Sequence, residues 1–526
     1  MPKNFTFDRV EVKVTGLDWQ VIETLIFPYE NGQIVMTLPA TFPSERLQKV
    51  DRRNGDMAGY WTGTSNDGDA LVATLGGLLF GYDTAVISGT VKYLDLNFVV
   101  PLGLDETAAS SLLGFAVSSA LIGCVIGGLI GGVMATRLGR KRSLMAAAVL
   151  FIVSAVGSAY PEMGFGDGDP HEFLPHFIVY RIIGGIGVGL ASMLSPMYIA
   201  EMAPAGRRGS LVSWNQFAII FGMLVVYFVN YGIALSGDEQ WLTTTGWRLM
   251  FLSEVIPASC LLLLIFCVPE SPRWLVMKGQ DRRAAAILRR VDPATDTDAE
   301  VRDIRRSLAG SVRSKLFSYG AAVIVIGVLL SVFQQFVGIN VVLYYAPEIF
   351  RSMGMGTNAA LAQTIIVGVI NLSFTVLAIF TVDRFGRKPL MIIGSLGMAV
   401  SMVTLGLTFY TQHMGWLSLA AMLCYTASFA MSWGPVCWVL LSEIFPNRIR
   451  GQAMALAVAA QWVANYVVSW TFPMMDKSSY LIEHFHHGFA YWIYALMGLA
   501  SAFFMVKFVP ETKGKSLEEM EKLFKK

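Results

Sequence analysis

Apolar residues in this chain gather into long unbroken runs, unlike the alternation of a half-buried strand or the single stripe of a surface helix. Runs long enough to cross about 30 Å of hydrocarbon occur near 71–91, 109–134, 143–160, 175–200, 211–235, 247–268, 318–349, 360–381, 389–410, 416–441, 451–473 and 487–508. Twelve such runs predict an all-α integral membrane protein. The connections between them alternate in charge. Arg137/Arg140/Lys141/Arg142, Arg207/Arg208, the basic segment 273–315, Arg384/Arg387/Lys388 and Arg448/Arg450 fall on one side. The opposite connections are poor in Lys and Arg, and the one between the third and fourth runs carries Glu162, Asp167, Asp169 and Glu172. Basic loops stay in the cytoplasm, so both termini are expected there. Residues 1–56 break the pattern with short mixed segments, turn residues and the charged stretch 49–54. They read as a cytoplasmic tail or small regulatory extension, or as an upstream stretch before a start at Met57, the last being favoured.

Composition sharpens the membrane reading. Of 526 residues 54% are hydrophobic and only 15% charged, against about 25% charged in soluble domains. A net charge of +2 without a basic stripe gives no reason to expect nucleic acid. Cys124, Cys260, Cys267, Cys424 and Cys437 all sit in apolar runs without metal-ligand spacing and read as small buried hydrophobes. The six histidines lie in or beside connections, and the His484–His487 cluster reads as a solvated loop. There is no nucleotide loop, metal cluster or nucleophile elbow, so an enzyme is not expected, nor any metal or cofactor. No cleavable signal peptide is visible.

The informative residues are polar ones inside apolar runs, which in a membrane face a bundle interior or a watery cavity. Within 333–345, Gln334, Gln335 and Asn340 supply carboxamides and Tyr344 and Tyr345 supply phenols. Such groups donate and accept without charge, which suits a neutral polyhydroxylated ligand. On an unbroken helix Gln335 and Asn340 would point roughly 140° apart; Gly338 between them would let the helix unwind and re-aim them, a transporter habit. The first run carries Asp83, which costs about 2.5–3.5 kcal/mol if ionised and facing lipid. Arg181 in the fourth run is a candidate partner and Glu254 in the sixth a third ionisable group. The set reads as a proton site or as a structural ion pair. Asn215, Gln216, Asn371, Gln461 and Trp462 add polar or aromatic groups in other runs. Gly434-Pro435 predicts a kink that presents Trp438 for stacking.

Repeats set the architecture. Glu201-x-x-Pro204-x-x-x-Arg208-Gly209 matches Glu443-x-x-Pro446-x-x-x-Arg450-Gly451; Arg137-x-Gly139-Arg140-Lys141 matches Arg384-x-Gly386-Arg387-Lys388; Pro269-Glu270-Ser271 matches Pro510-Glu511-Thr512. Similar separations divide the chain into two six-helix pseudo-repeat halves, 57–268 and 317–508, with a cytoplasmic helical linker at 269–316 and a tail at 509–526. Arg140, Glu201, Arg207, Glu270, Arg273, Asp383, Arg384, Arg387, Glu443, Arg450 and Glu511 form a candidate cytoplasmic gating network, tying helix ends in one state and releasing them in another.

Residues 269–275 (Pro-Glu-Ser-Pro-Arg-Trp-Leu), 334–340 (Gln-Gln-Phe-Val-Gly-Ile-Asn), 383–388 (Asp-Arg-Phe-Gly-Arg-Lys) and 510–515 (Pro-Glu-Thr-Lys-Gly-Lys) together resemble the sugar porter family of the major facilitator superfamily. The resemblance covers about residues 57–526. It implies that Gln216, Gln334, Gln335, Asn340, Trp438 and Gln461 bind hydroxyls or stack on a sugar, with Phe80, Tyr344, Asn371, Gly434 and Trp462 lining the pocket. It implies Asp83 as the proton-coupling carboxylate, with Arg181 as partner and Glu254 as helper; facilitative carriers of the family usually have Asn there. Two positions depart from the pattern. Thr136 replaces the first Asp of the amino-half motif, which predicts a weaker amino-half lock. Met223 replaces an expected Gln on the face of Gln216, which bears on pentose-over-hexose selectivity. The implied activity is proton-coupled uptake of a monosaccharide, D-xylose with D-glucose as a competitor, by a monomer in the inner membrane. The alternatives are a proton-independent facilitator and a non-transporting sugar sensor.

Overall fold

The computed structural model describes residues 9–15, 21–30, 33–34, 65–166, 168–203, 208–291, 296–309, 316–317, 319–446 and 449–513. It divides into two units, Met1–Thr64 and Ser65–Lys526. In the first, β1 (Arg9–Thr15), β2 (Val21–Glu30) and β3 (Gln33–Ile34) form an antiparallel sheet in the order β1-β2-β3. Arg9 pairs with Pro28 and Thr15 with Val21, with an irregularity between Val14 and Thr15. The all-α expectation therefore holds for the membrane unit, whereas Arg9–Thr15, Val21–Glu30 and Gln33–Ile34 are strands. Alternation of Val10, Val12 and Val14 with charged residues is a strand pattern. Met57 lies outside the described residues.

The second unit is helical. Its first half contains α1 (Ser65–Val86), α2 (Glu106–Arg137), α3 (Arg140–Ala159), α4 (Leu174–Met202), α5 (Arg208–Ala234), α6 (Trp247–Leu252) and α7 (Val255–Leu264). Three short helices follow: α8 (Pro272–Met277), α9 (Asp281–Val291) and α10 (Thr297–Ala309). The second half contains α11 (Ala321–Phe336), α12 (Ile339–Tyr344), α13 (Ala346–Ser352), α14 (Thr357–Phe385), α15 (Arg387–Tyr410), α16 (Trp416–Met431), α17 (Pro435–Ile444), α18 (Arg450–Asp476), α19 (Ser479–Phe485) and α20 (Phe489–Phe508). Among the described residues, twelve helical segments are long and apolar enough to cross a membrane, one for each apolar run of the sequence. Inside the halves α2 and α3 pack on α4, α1 on α5, α15 on α16 and α20, and α11 on α18. The most extensive packing between the halves pairs α2 with α18 and α5 with α14, and α12 also meets α1.

Sequence breakers interrupt the helices where the chemistry sits. Gly338 adopts φ +93°, in the left-handed region, so α11 stops at Phe336 and a new helix starts at Ile339. A β-carbon on Gly338 would stand 2.7 Å from the Tyr494 ring. Likewise α16 ends at Met431 and α17 begins at Pro435, because proline brings no N–H to continue the ladder.

The two faces of the bundle differ. Opposite the short linker helices, polar contacts cross between the halves. Asp95 pairs with Lys477 at 2.5 Å, and Glu239 accepts from Lys92 at 2.8 Å and from Thr357 of the other half. Glu106 accepts from the backbone and hydroxyl of Ser479, and Trp470 Nε1 donates to Ser111 O at 3.1 Å. At the linker face the resolved pairs Arg140–Glu201 and Arg387–Glu443 each stay inside one half. Asp69, at the start of α1, lies 3.9 Å from Arg290 of α9; burial pushes its carboxyl up, against the pull of that guanidinium.

Cys124 and Cys437 are buried, as expected of small hydrophobes, but Cys260, Cys267 and Cys424 are exposed. In a membrane bundle lipid supplies the apolar contact that a protein core supplies elsewhere, so an apolar run does not imply burial in protein. Replacing Gly338 by Ala should destabilise the protein by about 1–2 kcal/mol from the left-handed backbone alone, and more from the Tyr494 contact. Gly128→Ala, with open space around that position, should be neutral or slightly stabilising. Thermal unfolding of both variants in detergent checks this.

Candidate functional site

The restart of the helix at Ile339 turns Asn340 back toward the preceding turn, where its Nδ2 donates to Gln335 Oε1. Two groups that a continuous helix would hold apart become one polar patch. Gln334 is anchored differently: its Nε2 donates to the carbonyl of Trp433 at 2.8 Å, in the break before Pro435. Trp433 itself is fully buried and fixed by Nε1 bonds to Met391 O and Ser395 Oγ. Its role is to hold the break that receives Gln334, and the neighbouring Trp438 is left half-buried.

Three polar atoms of this region are buried without a partner: Gln334 Oε1, Gln461 Oε1 and Trp462 Nε1. Buried polar groups are nearly always paired, so these are positioned for a ligand or water. Trp462 of α18 also meets Phe80 of α1 across the two halves, with ring centres 5.7 Å apart. Gln216 is half-buried on α5, and Asn371 is buried on α14. Met223 is half-buried and packs into the apolar core. Tyr344 OH meets Asn465 Nδ2 at 3.4 Å, and Asn465 Oδ1 accepts from Ser469. Asn465 escaped the sequence reading; its signal is its place one helical turn after Gln461.

Beside this patch lies the charged group. Arg181 Nη1 donates to Asp83 Oδ1 at 2.9 Å, and its Nη2 reaches the Asp83 carbonyl at 3.4 Å. Both side chains are buried to within 2%. The guanidinium carbon lies 5.5 Å from the centre of the Phe251 ring. Glu254 is fully buried next to Asp83 and Arg181. Asp83 Oδ2 and both Glu254 oxygens have no hydrogen-bond partner. One guanidinium balances one carboxylate, and a second ionised carboxylate at such a place is very costly, so the group has room for a proton. Tyr344 of the other half lies within electrostatic reach of Asp83 and Arg181, which places the charged group next to the polar patch.

The repeated motifs form one device built twice. Gly139 and Gly386, at φ +95° and +93°, turn the chain into the N-termini of α3 and α15. Free N–H groups at a helix start favour a carboxylate. Glu270 Oε1 accepts from the backbone of Arg140 and Lys141 at 2.9 and 3.2 Å. Glu511 accepts from Arg387 and Lys388 at 3.2 and 3.0 Å. The arginine side chains then reach Glu201 at 2.7 Å and Glu443 at 2.8 Å. Ser271 and Thr512 bridge to the same two glutamates at 2.5 and 2.6 Å. The Thr136 carbonyl accepts from Trp274 Nε1 at 3.1 Å, so backbone at that position ties α2 to α8.

Other members of the candidate network stand apart. Arg273 is exposed on α8. Arg384 is exposed, and its carbonyl accepts from Lys513. Arg450 donates to the Phe445 carbonyl at 3.3 Å rather than to a carboxylate. Arg207 and the side chain of Asp383 lie outside what the structure describes.

Residues 70–524 match the family model described as "Sugar (and other) transporter". The chain belongs to this sugar transporter family. The transporter is 64% identical over 464 residues to the D-xylose-proton symporter of Escherichia coli K12, covering 86% of this chain and 94% of the relative. It is 43% identical to a glucose facilitated diffusion protein of Zymomonas mobilis, covering 87% and 97%. Among solved structures it is similar to an inward-open xylose transporter from E. coli, with TM-score 0.79, 62% identity and coverage of 86% and 98%. A proton:xylose symporter of the major facilitator superfamily bound to 6-bromo-6-deoxy-D-glucose matches with TM-score 0.75, 64% identity and coverage of 88% and 99%. The relatives are transporters and not enzymes, and the twelve-helix multi-pass architecture is that of the superfamily.

The two glutamines should separate structure from recognition. Gln334→Ala leaves the buried Trp433 carbonyl without its donor and should cost about 1–3 kcal/mol in stability. Gln461→Ala removes a group with a free acceptor and should leave the unfolding midpoint nearly unchanged. Thermal melts of both variants without ligand make the comparison.

Proposed function

We propose that this transporter takes up a monosaccharide, D-xylose first, together with protons across the cell's inner membrane, by alternating access and with both termini in the cytoplasm. The observation that carries the coupling is the pair of buried carboxylates, Asp83 and Glu254, sharing the single guanidinium of Arg181 beside the polar patch. The relatives named for xylose–proton and arabinose–proton symport support the substrate class, as does the sugar analogue bound in a similar structure. The proton is the only coupling partner the reading requires.

In this reading Gln216, Gln334, Gln335, Asn340 and Gln461 bind sugar hydroxyls, and Trp438 stacks on the ring. Phe80, Tyr344, Asn371, Gly434 and Trp462 line the pocket. With the cavity open outward, a proton on Asp83 loosens Arg181, and sugar binds between the halves. Closure across α2–α18 and α5–α14 then seals the outer face through Asp95, Glu106 and Glu239. The bonds across that face, with linker-face pairs confined to single halves, correspond to the inward-facing member of the cycle. Release of sugar and proton follows, and Arg181 recovers Asp83. Moving one charge through 100 mV supplies about 2.3 kcal/mol, and one pH unit adds about 1.4 kcal/mol.

Reconstituted transporter should accumulate labelled D-xylose when an inward proton gradient is imposed and only equilibrate it without one. Equilibration under both conditions would assign a facilitator instead. Asp83→Asn should keep sugar exchange and lose uphill uptake; accumulation by that variant would remove Asp83 from the coupling role. Gln461→Ala should weaken D-xylose binding about tenfold, the equivalent of about 1.4 kcal/mol, as read by calorimetry.

A further inference from the structure

Ser154 of α3 is fully buried and its hydroxyl has no partner. A β-carbon built on Gly184 would stand 2.3 Å from Ser154 Oγ and 3.2 Å from Asp83 Oδ1, the oxygen that Arg181 holds, so hydroxyl and carboxylate lie against the same bare glycine. We propose that Ser154 is a positioning residue of the proton site, accepting the hydrogen bond of protonated Asp83 once Arg181 has let go. The proposal rests on the reading of Asp83 as the coupling carboxylate and adds the residue that receives its proton-loaded form.

The chemistry follows from which groups can accept. Arginine only donates, so Arg181 serves the ionised carboxylate and has nothing to offer an O–H. A hydroxyl donates or accepts by rotation. The titratable and charged groups around Asp83 are Arg181 from α4, Cys124 from α2, Glu254 between α6 and α7, and Tyr344 from α12. Tyr82 on α1 itself is taken up by a 2.7 Å bond to Ser253. Cys124 is a weak acceptor, and the Tyr344 hydroxyl is met by Asn465. Glu254, close enough to share a hydrogen bond with Asp83, is the chief rival acceptor, and it differs from Ser154 in an observable way. If Ser154 is the acceptor, removing its hydroxyl penalises the protonated state and leaves the Arg181–Asp83 pair intact.

The test uses the full-length transporter in proteoliposomes, with D-xylose accumulation followed against external pH. Ser154→Ala should move half-maximal accumulation about one pH unit toward acid, a tenfold higher proton requirement, while counterflow at acid pH persists. Ser158→Ala, which removes another unpartnered buried hydroxyl one turn along α3, should leave the profile in place. An unshifted or alkaline-shifted Ser154→Ala profile overturns the proposal, the unshifted one pointing to Glu254. If Ser154→Ala abolishes counterflow, the profile is read on Ser154→Cys, whose thiol accepts weakly. The same acid shift is expected there, and its absence is equally decisive. Asp83→Asn run in parallel distinguishes the underlying reading, since accumulation by that variant removes the coupling site itself.

Discussion

Two carboxylates and one guanidinium inside a bundle meant for hydrocarbon set the terms for the rest of this protein. Neither Asp83 nor Arg181 can be left alone at that depth, so the helices carrying them, α1 and α4, must stay in register. The surroundings of the pair are correspondingly tight: Phe251 covers the guanidinium, and Gly184 leaves space for Ser154 and the carboxylate together. The pair balances only one of the two carboxylates present, so a second ionised carboxylate there would lack a counter-charge. A proton can thereby act on packing.

The polar patch depends on that arrangement through Tyr344. Its helix, α12, exists as a separate segment because Gly338 ends α11, and this places Tyr344 and Asn340 at the seam between the halves. Tyr344 lies within reach of the Asp83–Arg181 pair, and Phe80, three residues before Asp83, meets Trp462 of α18. The residues proposed to bind sugar and those proposed to carry the proton therefore share one seam.

At the linker face the duplicated motif shows how a membrane bundle holds its ends. A glycine in the left-handed region starts the helix, a glutamate from the end of the half caps it, and the first arginine reaches a second glutamate. Each half is thus tied to itself at this face. The ion pairs described there brace each half, and the charged contacts that cross between halves lie at the opposite face.

Much of this was legible before any coordinates. Twelve apolar runs, the matched charged motifs and the polar residues 334–345 depend on composition summed over about twenty residues or on short spacing, which the chain carries locally. The break at Gly338 and the kink before Pro435 were readable for the same reason, since backbone preference belongs to the residue. Tertiary structure alone decided that the Gln334 amide nitrogen is spent on the Trp433 carbonyl while its oxygen remains free, that Glu270 and Glu511 cap helices as well as carrying charge, and that three cysteines face outward. It also placed Ser154, unremarkable in its run, beside Asp83. The Gln334 and glutamate contacts join residues about a hundred apart in sequence, and these features all follow from how whole helices pack. Hydrophobicity says that a helix is in the membrane; only packing says what it faces there.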